Sequence, residues 1–191
     1  MRTFTFDTNC IIDIDLNRPP AYSIKEILAA HRSGNAHAAF VAVSASERQQ
    51  GDYYLTSYDQ FLERLRALGL DDIPQIQGLA YCDLSYWDHA LYADPAALTR
   101  ERQIHEVLFP SIEFEFADFA QMAGISKDRI SSARAQKWRN AWCDRQMLWS
   151  HDYHSRDVFV TSDRNFRKLI SCQGFEKLAV CTPQEAVALL P

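Results

Sequence analysis

Short apolar runs alternate with amphipathic helical patterns at both ends of this 191-residue chain. The pattern predicts strands at residues 3–6, 38–43, 157–161 and 177–181. It predicts helices at residues 23–31, 165–170 and 183–190, the last of them capped by Thr182. Strands that alternate with helices favour a mainly parallel sheet sandwiched by helices, which is an α/β fold. Ligands of such sheets bind beyond the carboxyl ends of the strands.

The middle of the chain departs from this alternation. Helical patterns occupy residues 57–68, 98–107 and 127–150, and residues 70–95 have the pattern of an aromatic-rich loop. No stretch rich in Gly, Ser or Pro marks a linker. We therefore expect a single domain over residues 1–191, with a helical insertion at approximately residues 55–125.

Charge and cysteine usage exclude several classes of protein. Twenty Lys and Arg against 25 Asp and Glu give a net charge of −5, so nucleic acid would need a local basic patch to bind. Five cysteines without a Cys-x-x-Cys spacing indicate neither a disulfide framework nor a structural zinc site. No apolar stretch reaches the ~18 residues of a spanning helix, and the start lacks a signal-peptide core. We expect a soluble, cytoplasmic protein.

Two acidic residues directly follow predicted strands. Asp7 comes after the first strand in FDTN, and Asp163 follows a later strand in VTSDRNF. Because parallel strands end at one edge of a sheet, the two carboxylates could meet there. Each could instead cap the helix that follows it, since Asp is a common N-cap residue.

A third acid, Asp144, lies within the predicted helix of residues 127–150 and shares a face with apolar residues such as Met147. A carboxylate on a buried face needs a cation, hydrogen-bond donors or a raised pKa. The alternative is a salt bridge to a nearby arginine, Arg145 or Arg48.

A fourth acid, Glu47, follows the second predicted strand in the segment SASERQQ. Ser44 and Glu47 fit a capping box, in which Glu47 would reach back to the backbone of Ser44. Ser46 and Gln49 fit a second register, which would release Glu47 toward the edge of the sheet. The sequence leaves both registers open.

Four carboxylates at one edge would suit Mg²⁺ or Mn²⁺, which are hard cations that prefer oxygen ligands. Such an ion lowers the pKa of a bound water, and a second ion stabilises the leaving oxygen of an in-line phosphoryl displacement. The arrangement therefore predicts hydrolysis of phosphodiester bonds.

The sequence resembles the PIN-domain family of metal-dependent nucleases in the order of its acidic motifs: FDTN, a Glu after the second strand, a helical Asp and VTSDRNF. The resemblance implies a PIN-like fold and a Mg²⁺- or Mn²⁺-dependent endoribonuclease. The catalytic and metal-binding residues that it implies are Asp7, Glu47, Asp144 and Asp163. The supporting polar neighbours that it implies are Asn9 and Ser162.

Many small members of this family are toxins that an antitoxin neutralises. The resemblance therefore allows a toxin–antitoxin pair, another protein partner or a homodimer. This chain departs from the compact pattern, because Glu47 and Asp144 lie 97 positions apart. That interval leaves open the toxin role, the RNA target and what the insertion binds.

Basic residues near the acids are candidates for contacts with RNA. We expect the RNA backbone to be contacted by Arg164, Arg167, Lys168 and Arg145. Residues 129–145 also mix basic residues with Trp138 and Trp142. Such a mixture is typical of a surface that binds RNA. It is also typical of a helix whose tryptophans face the core and whose basic residues face solvent.

Three other functions stay open at this point. A PIN-like chain could have lost catalysis and bind RNA or protein. Asp7 could be the nucleophile of a phosphatase like the haloacid-dehalogenase enzymes, although their motif needs Asp two residues later and position 9 is Asn. His151 and His154 could belong to a metal site, although the sequence around them supplies no closing ligand set.

Overall fold

The computed structural model describes residues 1–49 and 53–191 of the chain. Its strands are β1 (Arg2–Phe6), β2 (Ala36–Val41), β3 (Gln75–Ile76), β4 (Gly78–Leu79), β5 (Ala90–Leu91), β6 (Val158–Val160) and β7 (Ala179–Cys181). Its α-helices are α1 (Thr8–Asp15), α2 (Pro20–Arg32), α3 (Tyr58–Ala67), α4 (Pro95–Leu108), α5 (Phe116–Ala123), α6 (Gln136–Tyr153) and α7 (Pro183–Val187). Short 3₁₀ helices lie at Ala42–Ser46, Trp87–His89, Ala133–Ala135 and Arg164–Ser171. Within the described ranges, no helix is long and apolar enough to cross a membrane.

Five of the strands form one parallel sheet in the order β3-β2-β1-β6-β7, and β4 pairs with β5 separately. Phe6 of β1 lies opposite Phe40 of β2 and Val160 of β6. The three central strands therefore end at the same edge of the sheet. This confirms the expected α/β fold with a mainly parallel sheet flanked by helices.

Apolar side chains cover both faces of the sheet. On one face, Phe4 and Phe6 belong to a core that they share with buried residues of α1, α2, α3 and α7. On the other face, Phe159 of β6 belongs to a second core that includes residues of α4 and α6. Burial on both faces explains the near-continuous apolar runs in the sequence. The second core holds α6, which carries Asp144, against the sheet.

A buried ion pair joins α4 to α6. Nε of Arg145 donates to Oε1 of Glu101 over 2.6 Å, and both side chains are fully buried. The amide of Gln146 donates to the same Glu101 oxygen, and the hydroxyl of Tyr81 donates to the other. Nη1 of Arg145 also lies 3.1 Å from Nδ1 of His105. These hydrogen bonds offset part of the desolvation penalty that burial of two charges incurs.

Several elements differ from the sequence predictions. The helix predicted from residue 127 begins at Gln136, because Ser132 caps a separate 3₁₀ turn through the backbone N–H of Ala135. A helix is expected after Asp7 without stated bounds, and α1 occupies that place. The eight-residue helix α5 is not predicted by the sequence pattern. The predicted loop of residues 70–95 contains β3, which extends the main sheet beside β2. The segment expected to be a helical insertion is therefore partly a component of the sheet.

Candidate metal centre

The carboxyl ends of β1 and β6 lie side by side and hold Asp7 next to Thr161. The backbone N–H of Asp7 donates to the carbonyl of Val160 over 3.0 Å, just beyond the end of β1. The hydroxyl of Thr161 then donates to Oδ2 of Asp7 over 2.6 Å. The register of the sheet therefore determines where the first carboxylate lies.

The side chain of Asp7 is not used to cap α1. Asp7 occupies the N-cap position, but its side chain makes no capping hydrogen bond. The residue is 2% exposed, and Nδ2 of Asn9 donates to its Oδ2 over 3.0 Å. Burial raises the pKa of Asp7; the hydrogen bonds from Thr161 and Asn9 oppose the rise, and the charge of Asp163 adds to it. The capping alternative is therefore wrong for Asp7.

Asp163, by contrast, caps the helical turn that follows it. Its Oδ1 accepts the backbone N–H of Asn165 over 2.8 Å at the start of the 3₁₀ helix Arg164–Ser171. Its own backbone N–H donates to Oγ1 of Thr161 over 2.9 Å. The capping interpretation is thus confirmed for Asp163. Its charge nevertheless acts on the neighbouring acids, because it raises the pKa of Asp7 and of Asp144.

Glu47 reaches the same edge through a 3₁₀ helix rather than through a capping box. The 3₁₀ helix Ala42–Ser46 follows β2 and ends at Glu47, whose backbone is extended. The two described residues that follow Glu47 are not helical, so neither predicted capping register forms. The hydroxyl of Thr8 donates to Oγ of Ser44 over 2.8 Å, which ties this turn to the start of α1.

Burial and the charge of a neighbouring acid both change the pKa of Glu47. Burial raises the pKa of Glu47 to about 8, and the charge of Asp7 adds to the rise. The nearby hydroxyl of Thr8 and the positive charge of Arg64 oppose it. Arg64 itself pairs with Asp15 over 2.9 Å. At neutral pH, the surroundings of Glu47 therefore favour its protonated form when no further positive charge is present.

Asp144 lies on α6 and faces the same group of acids. Burial raises its pKa well above the usual value, and the charges of Asp7, Glu47 and Asp163 raise it further. Among the described ion pairs, none joins Asp144 to a lysine or arginine. Arg145 is paired with Glu101 instead. The salt-bridge alternative with Arg145 is therefore wrong.

The four acids offer the donor chemistry of a site for a hard divalent cation. Carboxylate oxygens are the ligands that Mg²⁺ and Mn²⁺ prefer, and a doubly charged ion would offset the mutual repulsion of the acids. In residues 1–49 and 53–191, no group of three or more His, Cys, Asp and Glu side chains is arranged so that it could hold a metal ion. The donor chemistry of the four acids nevertheless fits such an ion.

The expected polar and basic neighbours lie partly around this centre. A cleft of about 460 Å³ is lined by Ser162, Asp163, Arg164 and Arg167, together with threonines at its wall. Arg167 forms an exposed ion pair with Glu185. Arg164 and Lys168 are exposed. The cleft therefore presents basic side chains directly beside one of the four acids.

Arg145 cannot contact RNA in this structure. Its side chain is fully buried in the ion pair with Glu101. Its guanidinium lies over the ring of Phe114, with 4.3 Å between the guanidinium carbon and the ring centroid. The RNA-contact prediction for Arg145 is wrong, because residue 145 points into the core while residue 144 points to the acids.

The tryptophans of residues 129–145 belong to the core. Trp138 and Trp142 are 2% and 0% exposed, as the second of the two interpretations predicts.

The histidine pair also has structural contacts: Nδ1 of His151 lies 3.0 Å from Oγ1 of Thr5, and Nε2 of His154 lies 3.2 Å from the carbonyl of Gln77. The two histidines therefore serve different parts of the fold.

Three residues of the centre were missed by sequence reasoning. Thr161 contacts both Asp7 and Asp163, and its place between the strand and Asp163 in VTSD is a signal that could have found it. Thr8 joins the turn after β2 to α1, and its place after Asp7 is a similar signal. Arg139, which holds the carbonyl of Ser46, carries no such signal, because its partner lies 93 positions away.

In comparisons with known proteins, no family model, no curated protein and no solved structure matches this chain. Membership of the PIN-domain family and the toxin role therefore remain predictions from the acidic motifs.

Proposed function

We propose that this chain is a divalent-metal-dependent ribonuclease that hydrolyses RNA phosphodiester bonds at the four-carboxylate edge. The observation that carries the proposal is that the charges of Asp7, Glu47 and Asp163, from separate parts of the chain, all act on Asp144. Asp144 gives the strongest support, because the three other acids all raise its pKa and no ion pair of the described residues neutralises its charge. A protein without need of a cation there would gain stability by replacing these acids.

The residues that would hold the ion are Asp7, Glu47, Asp144 and Asp163. A bound Mg²⁺ or Mn²⁺ supplies activation of water and stabilisation of the leaving oxygen in phosphodiester hydrolysis. Thr161 orients the carboxyl of Asp7 through its 2.6 Å hydrogen bond, and Asn9 holds the same oxygen. Arg164, exposed beside Asp163 in the adjoining cleft, would contact the phosphate backbone of the substrate.

The direct test is cleavage of RNA by the purified protein with and without metal. We expect single-stranded RNA to be cut in Mg²⁺ or Mn²⁺, spared in excess EDTA and cut again when Mn²⁺ is restored. Cleavage that persists in EDTA would overturn the metal-dependent mechanism. A complete lack of cleavage with every divalent ion tested would overturn the proposed activity.

A second candidate is a PIN-like module that binds RNA or protein without cutting. The observation that favours it is that Asp163 caps the turn that follows it, a structural use of one of the four acids. The same assay separates the two candidates, since the binding module retains RNA and leaves it intact whatever metal is added.

A further inference from the structure

The chain before α6 and the first turn of α6 carry a run of exposed basic side chains. These side chains are Lys127, Arg129, Arg134 and Lys137, and all four are exposed. None takes part in an ion pair of the described residues. The acid nearest in sequence, Asp128, is itself exposed, and the charge of Arg129 is one of the causes that lower its pKa. We call residues 127–137 the basic segment.

A buried arginine attaches the basic segment to the edge that carries the four acids. Nη1 of Arg139 donates to Oγ of Ser131 over 2.9 Å. Nε and Nη2 of the same guanidinium donate to the carbonyl of Ser46 over 3.0 and 2.8 Å. Ser46 immediately precedes Glu47, so one side chain contacts both the basic segment and the turn that presents an acid.

Two further contacts keep this attachment in place. The guanidinium of Arg139 lies over the ring of Tyr54, with 3.6 Å from its central carbon to the ring centroid, and the residue is 5% exposed. Arg48, which directly follows Glu47, donates a hydrogen bond to the side chain of Gln136 at the start of α6. The basic segment is therefore held beside the turn of Glu47.

We propose that the basic segment binds the phosphate backbone of single-stranded RNA and leads the strand to the four-carboxylate edge. This inference rests on the proposed function and adds the surface that binds the substrate strand and the path of that strand. Because the whole chain has a net charge of −5, a polyanion must bind where positive charge is concentrated and unpaired. A single strand fits better than a duplex, because a positively charged track along the backbone is how proteins bind single strands without reading their sequence.

The test is binding of a fluorescein-labelled RNA of sixteen uridines, measured by fluorescence anisotropy in EDTA so that no cleavage occurs. We compare the wild type with two double variants, Lys127→Gln/Arg129→Gln and Arg134→Gln/Lys137→Gln. Each is expected to raise Kd about tenfold and to reduce the slope of log Kd against log salt by about 1.4, the value for two lost contacts with a single strand. Circular dichroism checks that each variant is folded.

The matched control is Lys25→Gln/Lys177→Gln, which removes two exposed positive charges from α2 and from the segment before β7. It changes the net charge equally and is expected to leave Kd and the salt slope unchanged. The proposal is overturned if the wild type does not bind this RNA, if the control loses as much affinity as the test variants, or if the test variants keep the wild-type slope. Equal affinity for a duplex of the same length would also overturn it.

Cleavage in Mn²⁺ separates this inference from the proposed function. If the wild type cuts RNA and both test variants keep the wild-type KM, the basic segment is not the binding surface and the activity stands. If the wild type binds RNA through the basic segment but never cuts it, the binding surface stands and the activity is rejected. The expected result is a raised KM with an unchanged kcat in both test variants.

Discussion

The hydroxyl of Thr161 donates a 2.6 Å hydrogen bond to Oδ2 of Asp7, although the two residues are 154 positions apart. The contact exists because β1 and β6 are parallel neighbours that end together at Phe6 and Val160. Thr161 also accepts the backbone N–H of Asp163. One hydroxyl therefore contacts two of the four acids and fixes their positions relative to each other.

Replacing Thr161 with valine tests this role. Thr161→Val keeps the shape of the side chain and removes the donor to Asp7, so the pKa of Asp7 should rise further and its affinity for a cation should fall. We expect Mn²⁺ binding to weaken by about tenfold, the lower end of what outer-shell partners contribute. Thr161→Ser keeps the hydroxyl and should bind as the wild type does in calorimetric titration. Equal affinities in all three proteins would contradict this role.

Asp163→Asn tests whether the charge at this position is needed for activity. Asparagine keeps an oxygen that can accept the backbone N–H of Asn165, so the turn should stay capped. We expect loss of RNA cleavage by at least about a hundredfold with unchanged circular dichroism. The control is Asp118→Asn, an exposed acid on α5, which should cut at the wild-type rate. Undiminished cleavage by Asp163→Asn would reject the four-carboxylate mechanism.

The raised pKa of Glu47 predicts how stability depends on pH in EDTA. The folded protein keeps a proton on Glu47 up to about pH 8, whereas the ordinary pKa of such a group is 4.5. Because the folded state binds the extra proton, the contribution of Glu47 to stability decreases as pH rises from about 4.5 to about 8.

Glu47→Gln removes this titration while keeping the size of the side chain. The variant should be more stable than the wild type at pH 8 by about 1 to 3 kcal/mol, since one pKa unit corresponds to about 1.4 kcal/mol and the side chain is partly exposed. The difference should shrink toward pH 5. Urea unfolding of both proteins in EDTA across this range measures it, and parallel curves would count against the environment assigned to Glu47.

The buried pair of Arg145 and Glu101 predicts a large loss of stability when one partner is neutralised. Glu101→Gln leaves the Arg145 guanidinium without its counter-charge in the core, so we expect destabilisation by about 3 to 5 kcal/mol. The control is Glu115→Gln, which breaks an exposed pair with Arg102 at 3.5 Å and should cost less than about 1 kcal/mol. Urea unfolding compares the two variants, and equal losses would contradict the assignment of the buried pair.

The sequence predicted four of the five strands of the sheet, and the places of Asp7 and Asp163 after two of them, because strand ends are local features. Apolar runs define the strands, and parallel pairing then brings their following residues to one edge. The route of Glu47 was not predicted, because both capping registers assumed a helix where the chain forms a 3₁₀ turn that ends at Glu47. The conformation of this turn depends on Arg139, which contacts Ser46, and on Thr8, which contacts Ser44. Both contacts join residues that are distant in sequence.

The burial of Arg145 shows the same limit of sequence reasoning. Arg145 and Asp144 are adjacent on α6, so a basic residue next to an acid looks like a contact for substrate. Successive residues of a helix point in directions about 100° apart, and here one faces the acids while the other faces Glu101. Arg145 faces the core because its partner, Glu101, lies on α4. The local sequence pattern does not predict where α4 packs.

Calorimetric titration of the metal-free protein with Mn²⁺, at pH 7 in two buffers of different ionisation enthalpy, tests the central claim most directly. The account predicts saturable binding that releases protons, because burial raises the pKa of Glu47 to about 8 and a cation binds its ionised form. It also predicts that Glu47→Gln weakens binding and releases fewer protons. No binding, or binding with the same heat in both buffers, would contradict it.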